Sequence, residues 1–435
     1  MSTANSSEDS EDACRPGDGT TSPRAAPGLR LVELPPAAAT ADAADADQGP
    51  LFTRPYLRLL AMQAAYGFSF SLFFLLPKYL AAAGESSSRI GFVMGGFGVA
   101  CVATIPFLPI IVARLGRRGA LMAATLSLAL AAGAFALIQP VGLSAVFLRA
   151  SEGVTWTIMF STAGALTADL APRGRLAQAI GLAGAAALIM NAVAPAIGEP
   201  MADRYGYRPV FLLAALAALA AAAMARRLPR LAPVQPTTFT RAPRTAAAAH
   251  AADQGGRRLP LYAVFGLSGI AFSTLFTFLA PFALAQGVNQ IRPFFIGYTG
   301  AAITVRLLGG RLADRLGHRA IATVALAIYG AAVASTGLFG PHHLYALGIC
   351  FGLAHGAVFP AIMALLINGT PPHQRPRVLG IANGAMSIGV SSVFGAGTLI
   401  ARIGYPATFA IAGGLVATSA LLLRAGRDRP RAFPG

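Results

Sequence analysis

The chain has 435 residues, 55% of them hydrophobic and 12% charged, with a mean hydropathy of +0.61 and a formal net charge of +17. A soluble domain carries about 25% charged residues, and half that share leaves too little polar surface for a soluble fold, so a polytopic membrane protein is expected. The positive balance does not imply nucleic acid, because the arginines fall between apolar spans, where the positive-inside rule places them.

Residues 1–52 open with "SSEDSEDA" and continue Pro-, Ala- and Asp-rich. With few large apolar residues they are expected to form a disordered cytoplasmic tail, and they lack the basic start and apolar core of a signal peptide. Residues 53–225 hold apolar runs near 56–80, 88–112, 119–139, 142–168, 177–200 and 209–225. Residues 226–258, rich in Arg, Pro and Ala, read as a cytoplasmic linker. Residues 259–425 hold six more runs, near 259–286, 293–313, 320–340, 343–368, 378–401 and 406–423, and residues 426–435 form a short cytoplasmic tail. Each run can cross a hydrocarbon core of about 30 Å. The expectation is an all-α polytopic membrane protein with twelve transmembrane helices in two pseudo-symmetric six-helix bundles.

Orientation follows from the loops. Arg114, Arg117, Arg118, Arg173, Arg175, the linker arginines, Arg311, Arg315, Arg319, Arg375, Arg377 and the C-terminal arginines lie on one side. The other side holds Lys78, Arg89, Arg204, Arg208, Arg292 and Arg402. The richer side is read as cytoplasmic, with both termini there. Cys14, Cys101 and Cys350 make neither a disulfide framework nor a metal-ligand spacing. No metal or cofactor is expected, and no phosphate-cradling Gly loop ending in Lys-Ser/Thr signals ATP use.

The halves repeat. "VARLGRR" (112–118) aligns with "ADRLGHR" (313–319), and "SEGVTWTIMF" (151–160) with "AHGAVFPAIM" (354–363). "YGYRPVF" (205–211) aligns with "IGYPATF" (403–409), and "FSLFFLLP" (70–77) with "TLFTFLAP" (274–281). The offset stays at about 200 residues throughout, which implies a substrate site between the halves near the bilayer midplane.

These stretches resemble the major facilitator superfamily of secondary transporters. "GGRLADRLGHR" matches its cytoplasmic loop signature through Gly310, Asp314, Arg315, Gly317, His318 and Arg319. The first-half copy keeps Gly116 and Arg117 but has Pro109 and Ala113 where the signature has Gly and Asp. In the family that loop is thought to lock cytoplasmic helix ends together, and Asp314 is the single copy of its acid here. Arg149 with Gly153 looks like the fourth-span signature of proton-coupled members. The fifth span is similar to the antiporter signature at Gly181, Pro195 and Gly198 but has Met190, Ala194 and Glu199 elsewhere. The resemblance implies no enzyme activity. It implies a bacterial-type inner-membrane transporter, working as a monomer, that exports a small organic molecule in exchange for protons. Uptake of an organic anion, or a non-transporting receptor or assembly factor, are the alternatives.

Several residues are unusual for hydrocarbon. Glu152 lies roughly 15 Å from the outer end of its span and shares a helix face with Arg149. The pair is either a structural ion pair or a proton site whose titration depends on the distance to Arg149. The repeat places His355 opposite Glu152, as a second titratable group or as a core histidine. Arg306, about 12 Å inward of the cytoplasmic edge, either snorkels or grips an anionic group. Glu199, near the outer end, reads as a gate or a solvated residue. Phe68, Ser69, Phe272 and Ser273 occupy matching places in the two halves and suit either a pocket wall or helix packing.

Overall fold

Alanine, leucine and glycine dominate the apolar runs, and in hydrocarbon a backbone must satisfy its own hydrogen bonds. Both facts select helix. The computed structural model describes residues 49–139, 142–172, 175–230, 246–339, 343–368, 370–371 and 374–425. Excluded within these ranges are the side chains of 246–257, 309–314, Ala177, Pro376 and Ala425. Of the expected segments, the N-terminal tail up to residue 48, linker residues 231–245 and the C-terminal tail 426–435 lie outside the described residues.

In chain order the helices are α1 Arg54–Leu72, α2 Leu76–Ala82, α3 Ser87–Thr104, α4 Leu108–Ile138, α5 Leu143–Leu170, α6 Leu176–Tyr205 and α7 Tyr207–Ala225. The second half supplies α8 Ala246–Ala285, α9 Arg292–Leu316, α10 His318–Phe339, α11 Leu344–Ile367, α12 Arg375–Ser391 and α13 Val393–Ala425. Short 3-10 turns, Phe73–Leu75 and Ile105–Phe107, carry α1 into α2 and α3 into α4. Helix α8 starts inside the segment expected to be linker, because "AAAAHAA" has the strongest intrinsic helix preference.

Eight stretches of the described residues are long and apolar enough to cross a membrane. Two of them, Ser87–Ile138 with 52 residues and Arg377–Arg424 with 48, far exceed the roughly 20 that one crossing needs. Each breaks at a glycine, Gly116 (φ 68°) and Gly404 (φ 81°). Gly206 (φ 77°) and Gly317 (φ 82°) make the corresponding corners between α6 and α7 and between α9 and α10. Gly116 pairs with Gly317 in the sequence repeat, and Gly206 with Gly404, so the repeat extends to backbone conformation.

An L-residue in this left-handed region is strained, whatever the space around it. Gly206→Ala is therefore expected to destabilise the purified protein by about 1 kcal/mol or more. Gly133→Ala is its control. Gly133 sits in the helical interior of α4, where nothing lies within 4 Å of an added Cβ, and there alanine should be neutral or stabilising. Equal thermal shifts for the two variants would contradict the corner reading.

Within the first half α4 packs on α5 and α7, α1 on α6 and α7, and α3 on α5. Within the second half α9 and α10 pack on α11, α10 on α13, and α8 on α12 and α13. The halves meet where α3 lies on α12 and α13, α6 on α9, and α2 on α8. Glycines permit the closest approaches. A Cβ on Gly153 of α5 would lie 2.3 Å from the Phe97 carbonyl oxygen of α3, and one on Gly356 of α11 would lie 2.9 Å from Ala302 of α9. These two glycines, aligned by the repeat, seat the helices that carry Glu152 and His355.

Candidate functional site

Arg149 and Glu152 pair through Nη1 and Oε2, and both side chains are buried, at 5% and 0% exposure. The i, i+3 spacing on α5 makes the contact local. Arg149 also lies over Phe97 of α3 (4.7 Å to the centroid) and Phe70 of α1 (5.8 Å). Such faces stabilise a desolvated cation. Phe70 stacks on Trp156 at 4.5 Å, and the Tyr66 hydroxyl meets Thr155 Oγ1 at 3.2 Å. Among the described residues, Glu152 Oε1 and Arg149 Nε have no hydrogen-bond partner. One carboxylate oxygen is thus held by the guanidinium while the other is spare.

His355 occupies the matching place on α11. Its ring stacks on Phe272 at 5.2 Å and on Phe351 at 5.6 Å, and its Nδ1 lies 3.3 Å from the Tyr298 hydroxyl. Across the boundary, Asn191 Oδ1 of α6 accepts from the Ser71 hydroxyl at 2.8 Å. Ser71 with Asn191 in the first half and Tyr298 with His355 in the second are thus two separate polar pairs. Pro195, inside α6, cannot donate to the Asn191 carbonyl four residues earlier. Ring contacts from Phe70 through Phe74, Phe276 and Phe272 run from beside Arg149 to His355.

Arg306 of α9 is exposed. Its Nη1 lies 3.3 Å from where a Cβ on Gly184 of α6 would sit, so it stands at the boundary of the halves against a helix face that carries no side chain there. Gly181, a turn away, is open. Phe68 and Phe272 are partly buried against the core. The Ser69 hydroxyl donates to the Ala214 carbonyl (2.7 Å) and that of Ser273 to the Ile270 carbonyl (3.1 Å), so both are spent on backbone.

A further polar cluster gathers around Lys78, which in the sequence sits among the sparse positives of the outer side. Lys78 Nζ donates to Glu199 Oε1 at 2.8 Å, to Asp203 Oδ1 at 3.1 Å and to the Asn289 carbonyl. Glu199, fully buried, also accepts from the backbone N–H of Ile291 (2.8 Å) and of Arg292 (2.8 Å). Those amides open α9, so a first-half carboxylate caps a second-half helix. Ser87 with Tyr405 (3.2 Å) and Ser88 with the Gly397 carbonyl (3.5 Å) add contacts between the halves at the same end. A Cβ on Gly198 would meet a Leu72 methyl at 2.7 Å and a Leu75 methyl at 3.0 Å, so these side chains would have to shift.

At the opposite end Arg117 pairs with Asp169 on α5, which supplies the acid that Ala113 does not. Arg319 donates to the Leu423 carbonyl at 3.1 Å, and Arg315 is exposed. Gly310 and Asp314 fall within α9, with their side chains outside the described residues. No cluster of His, Cys, Asp and Glu suited to a metal occurs among the described residues.

Long apolar helices, a repeated half and buried charges between them define a multi-pass membrane protein of the transporter class. The chain belongs to the Major Facilitator Superfamily, whose family model matches residues 59–340 and again 293–434. An uncharacterised transporter of this type from Bacillus subtilis, YhjO, is 32% identical over 121 residues, 27% of each chain. "Probable anion transporter 2, chloroplastic" from Oryza sativa subsp. japonica is 32% identical over 108 residues, 24% of this chain. The match spans 20% of that relative's length. Among solved structures, a peptide transporter superposes with TM-score 0.72 at 14% identity, covering 89% of this chain and 97% of that one. The human organic anion transporter MFSD10 superposes with TM-score 0.64 at 17% identity, covering 86% and 100%. At these identities the structures show a shared fold.

Proposed function

We propose that this protein carries a small organic molecule across a bacterial-type inner membrane by alternating access, with protons as the coupling ion and export as the direction. In this reading twelve crossings form two six-helix bundles, both termini are cytoplasmic, and a monomer suffices. The observation that carries it is the gathering of inter-half hydrogen bonds at the Lys78–Glu199 end. Two halves latched at one end, with an exposed Arg306 further in, support the reading of a carrier closed to the outside. Arg149 and Glu152 serve the proton, because a buried carboxylate with one spare oxygen can be occupied or vacated as its guanidinium partner shifts. Export rests on the fifth-span residues Gly181, Pro195 and Gly198. A second reading, uptake of an organic anion with protons, is favoured by Arg306.

Proteoliposomes with an imposed pH gradient test both. Antiport predicts accumulation in acid-loaded vesicles, and symport predicts accumulation when the medium is the acidic side. Flux that ignores the gradient and its dissipation would remove proton coupling.

A further inference from the structure

We infer that the space between the halves binds a small organic monoanion with a flat aromatic body, and that Arg306 holds its acidic group. The inference rests on the transport reading and specifies its ligand. Arg306 is a permanent cation well inside a span, about 21 Å along α9 from its start by helix rise, and charges at such depth need a partner. Among the described residues no carboxylate lies near it. The described carboxylates are all in use, Glu85 on Arg89, Glu152 on Arg149, Asp169 on Arg117, and Glu199 and Asp203 on Lys78. From Gln254 to Ala425 the sequence holds one acid, Asp314, and its eight-residue separation from Arg306 is about 12 Å of rise, too far for a direct pair.

Charge class follows from this accounting. Arg149 is matched by Glu152 and Lys78 by Glu199 and Asp203, so Arg306 is the cation at the boundary of the halves that no described carboxylate offsets locally. One carboxylate or sulfonate balances it, a dianion leaves an excess, and an amine is repelled. The fork of the guanidinium suits a bidentate oxyanion. Shape follows from the neighbours. Tyr298, eight residues before Arg306 on α9, meets His355 Nδ1 at 3.3 Å, and Phe272 stacks on His355 at 5.2 Å and is still partly exposed. Flat rings about two turns of α9 from the guanidinium favour a ligand with an aromatic body.

The test titrates the purified full-length protein in nanodiscs with benzoate, phthalate, benzamide and benzylamine, reading heat and thermal shift. Benzoate should bind and raise the melting temperature, phthalate should bind more weakly, and the neutral and cationic probes should not bind. Arg306→Gln should abolish benzoate binding, and Arg306→Lys should weaken it by roughly tenfold or more, since it keeps charge but loses the fork. The lysine variant guards against misfolding, and both variants are compared at matched unliganded melting behaviour. Equal benzoate affinity in wild type and Arg306→Gln overturns the inference and leaves Arg306 snorkelling to lipid headgroups. Tightest binding of benzylamine, or no binding of benzoate, overturns it as well. Benzoate bound through Arg306 but not exchanged in proteoliposomes leaves this inference standing and removes the transport reading.

Discussion

Glu152→Gln is expected to abolish accumulation driven by a pH gradient. Loss of the carboxylate removes the only proton-accepting oxygen beside Arg149, whose guanidinium pairs with Glu152 while both are buried. The single variant also strands a buried cation, which costs about 3–5 kcal/mol, so lost activity alone would not separate mechanism from folding. The neutral double variant, Arg149→Met with Glu152→Gln, separates them. Replacing a whole buried pair by apolar or neutral groups is often near neutral for stability. The double variant should melt close to wild type, exchange substrate at equal pH on the two sides, and fail to concentrate it when a gradient is imposed. Gradient-driven transport at the wild-type rate in a stable double variant would show that the pair only fastens helices.

Lys78→Met should open the end of the molecule that the Lys78–Glu199 cluster closes. Three hydrogen bonds to charged groups cross between the halves here: Lys78 to the Asn289 carbonyl, and the Ile291 and Arg292 amides to Glu199. Each is worth about 1.5–3 kcal/mol. Removing the ammonium deletes one of them and leaves Glu199 buried without its cation, beside Asp203. A loss of that size moves a two-state equilibrium tenfold or more. Spin labels on Arg204→Cys in the first half and Gln290→Cys in the second, in a background lacking the native cysteines, report the separation of the outer ends. The long-distance population should grow from minor to dominant in Lys78→Met, and Glu199→Gln should shift it in the same direction. Distance distributions that match wild type in both variants would mean that the cluster is no latch.

The helices were legible because hydrocarbon demands apolar runs of known length, and the described helices fall where those runs fall. The corners were legible as repeated words, "RLGRR" with "RLGHR" and "YGYR" with "IGYP", and their cause is the left-handed glycine in each. The start of α8 was missed because Pro and Arg around the alanine run read as linker while the run itself prefers helix. Glu152 and Arg149 announce themselves as charges in grease, yet spacing says nothing of the Phe70 and Phe97 rings that cover the arginine. Lys78 was passed over because it sits near a span end, where an exposed lysine is ordinary, and its three partners come from 121 to 211 residues away. Asn191 and Tyr298 carry no local signal, since asparagine and tyrosine within a span acquire meaning only from what another helix sets opposite them. Asp169 stands in for Ala113 in pairing with Arg117, a substitution across helices that a linear motif cannot express.

The cap that Glu199 places on α9 also bears on how the chain is made. The first half leaves the ribosome before Ile291 and Arg292 do, so Lys78 and Glu199 can be paired and waiting when those amides arrive. A second half synthesised alone would begin α9 with two backbone donors that have no carboxylate to meet, at a surface shaped to be covered. The order of synthesis thus supplies a template, and the later half finishes its own helix on a residue of the earlier one.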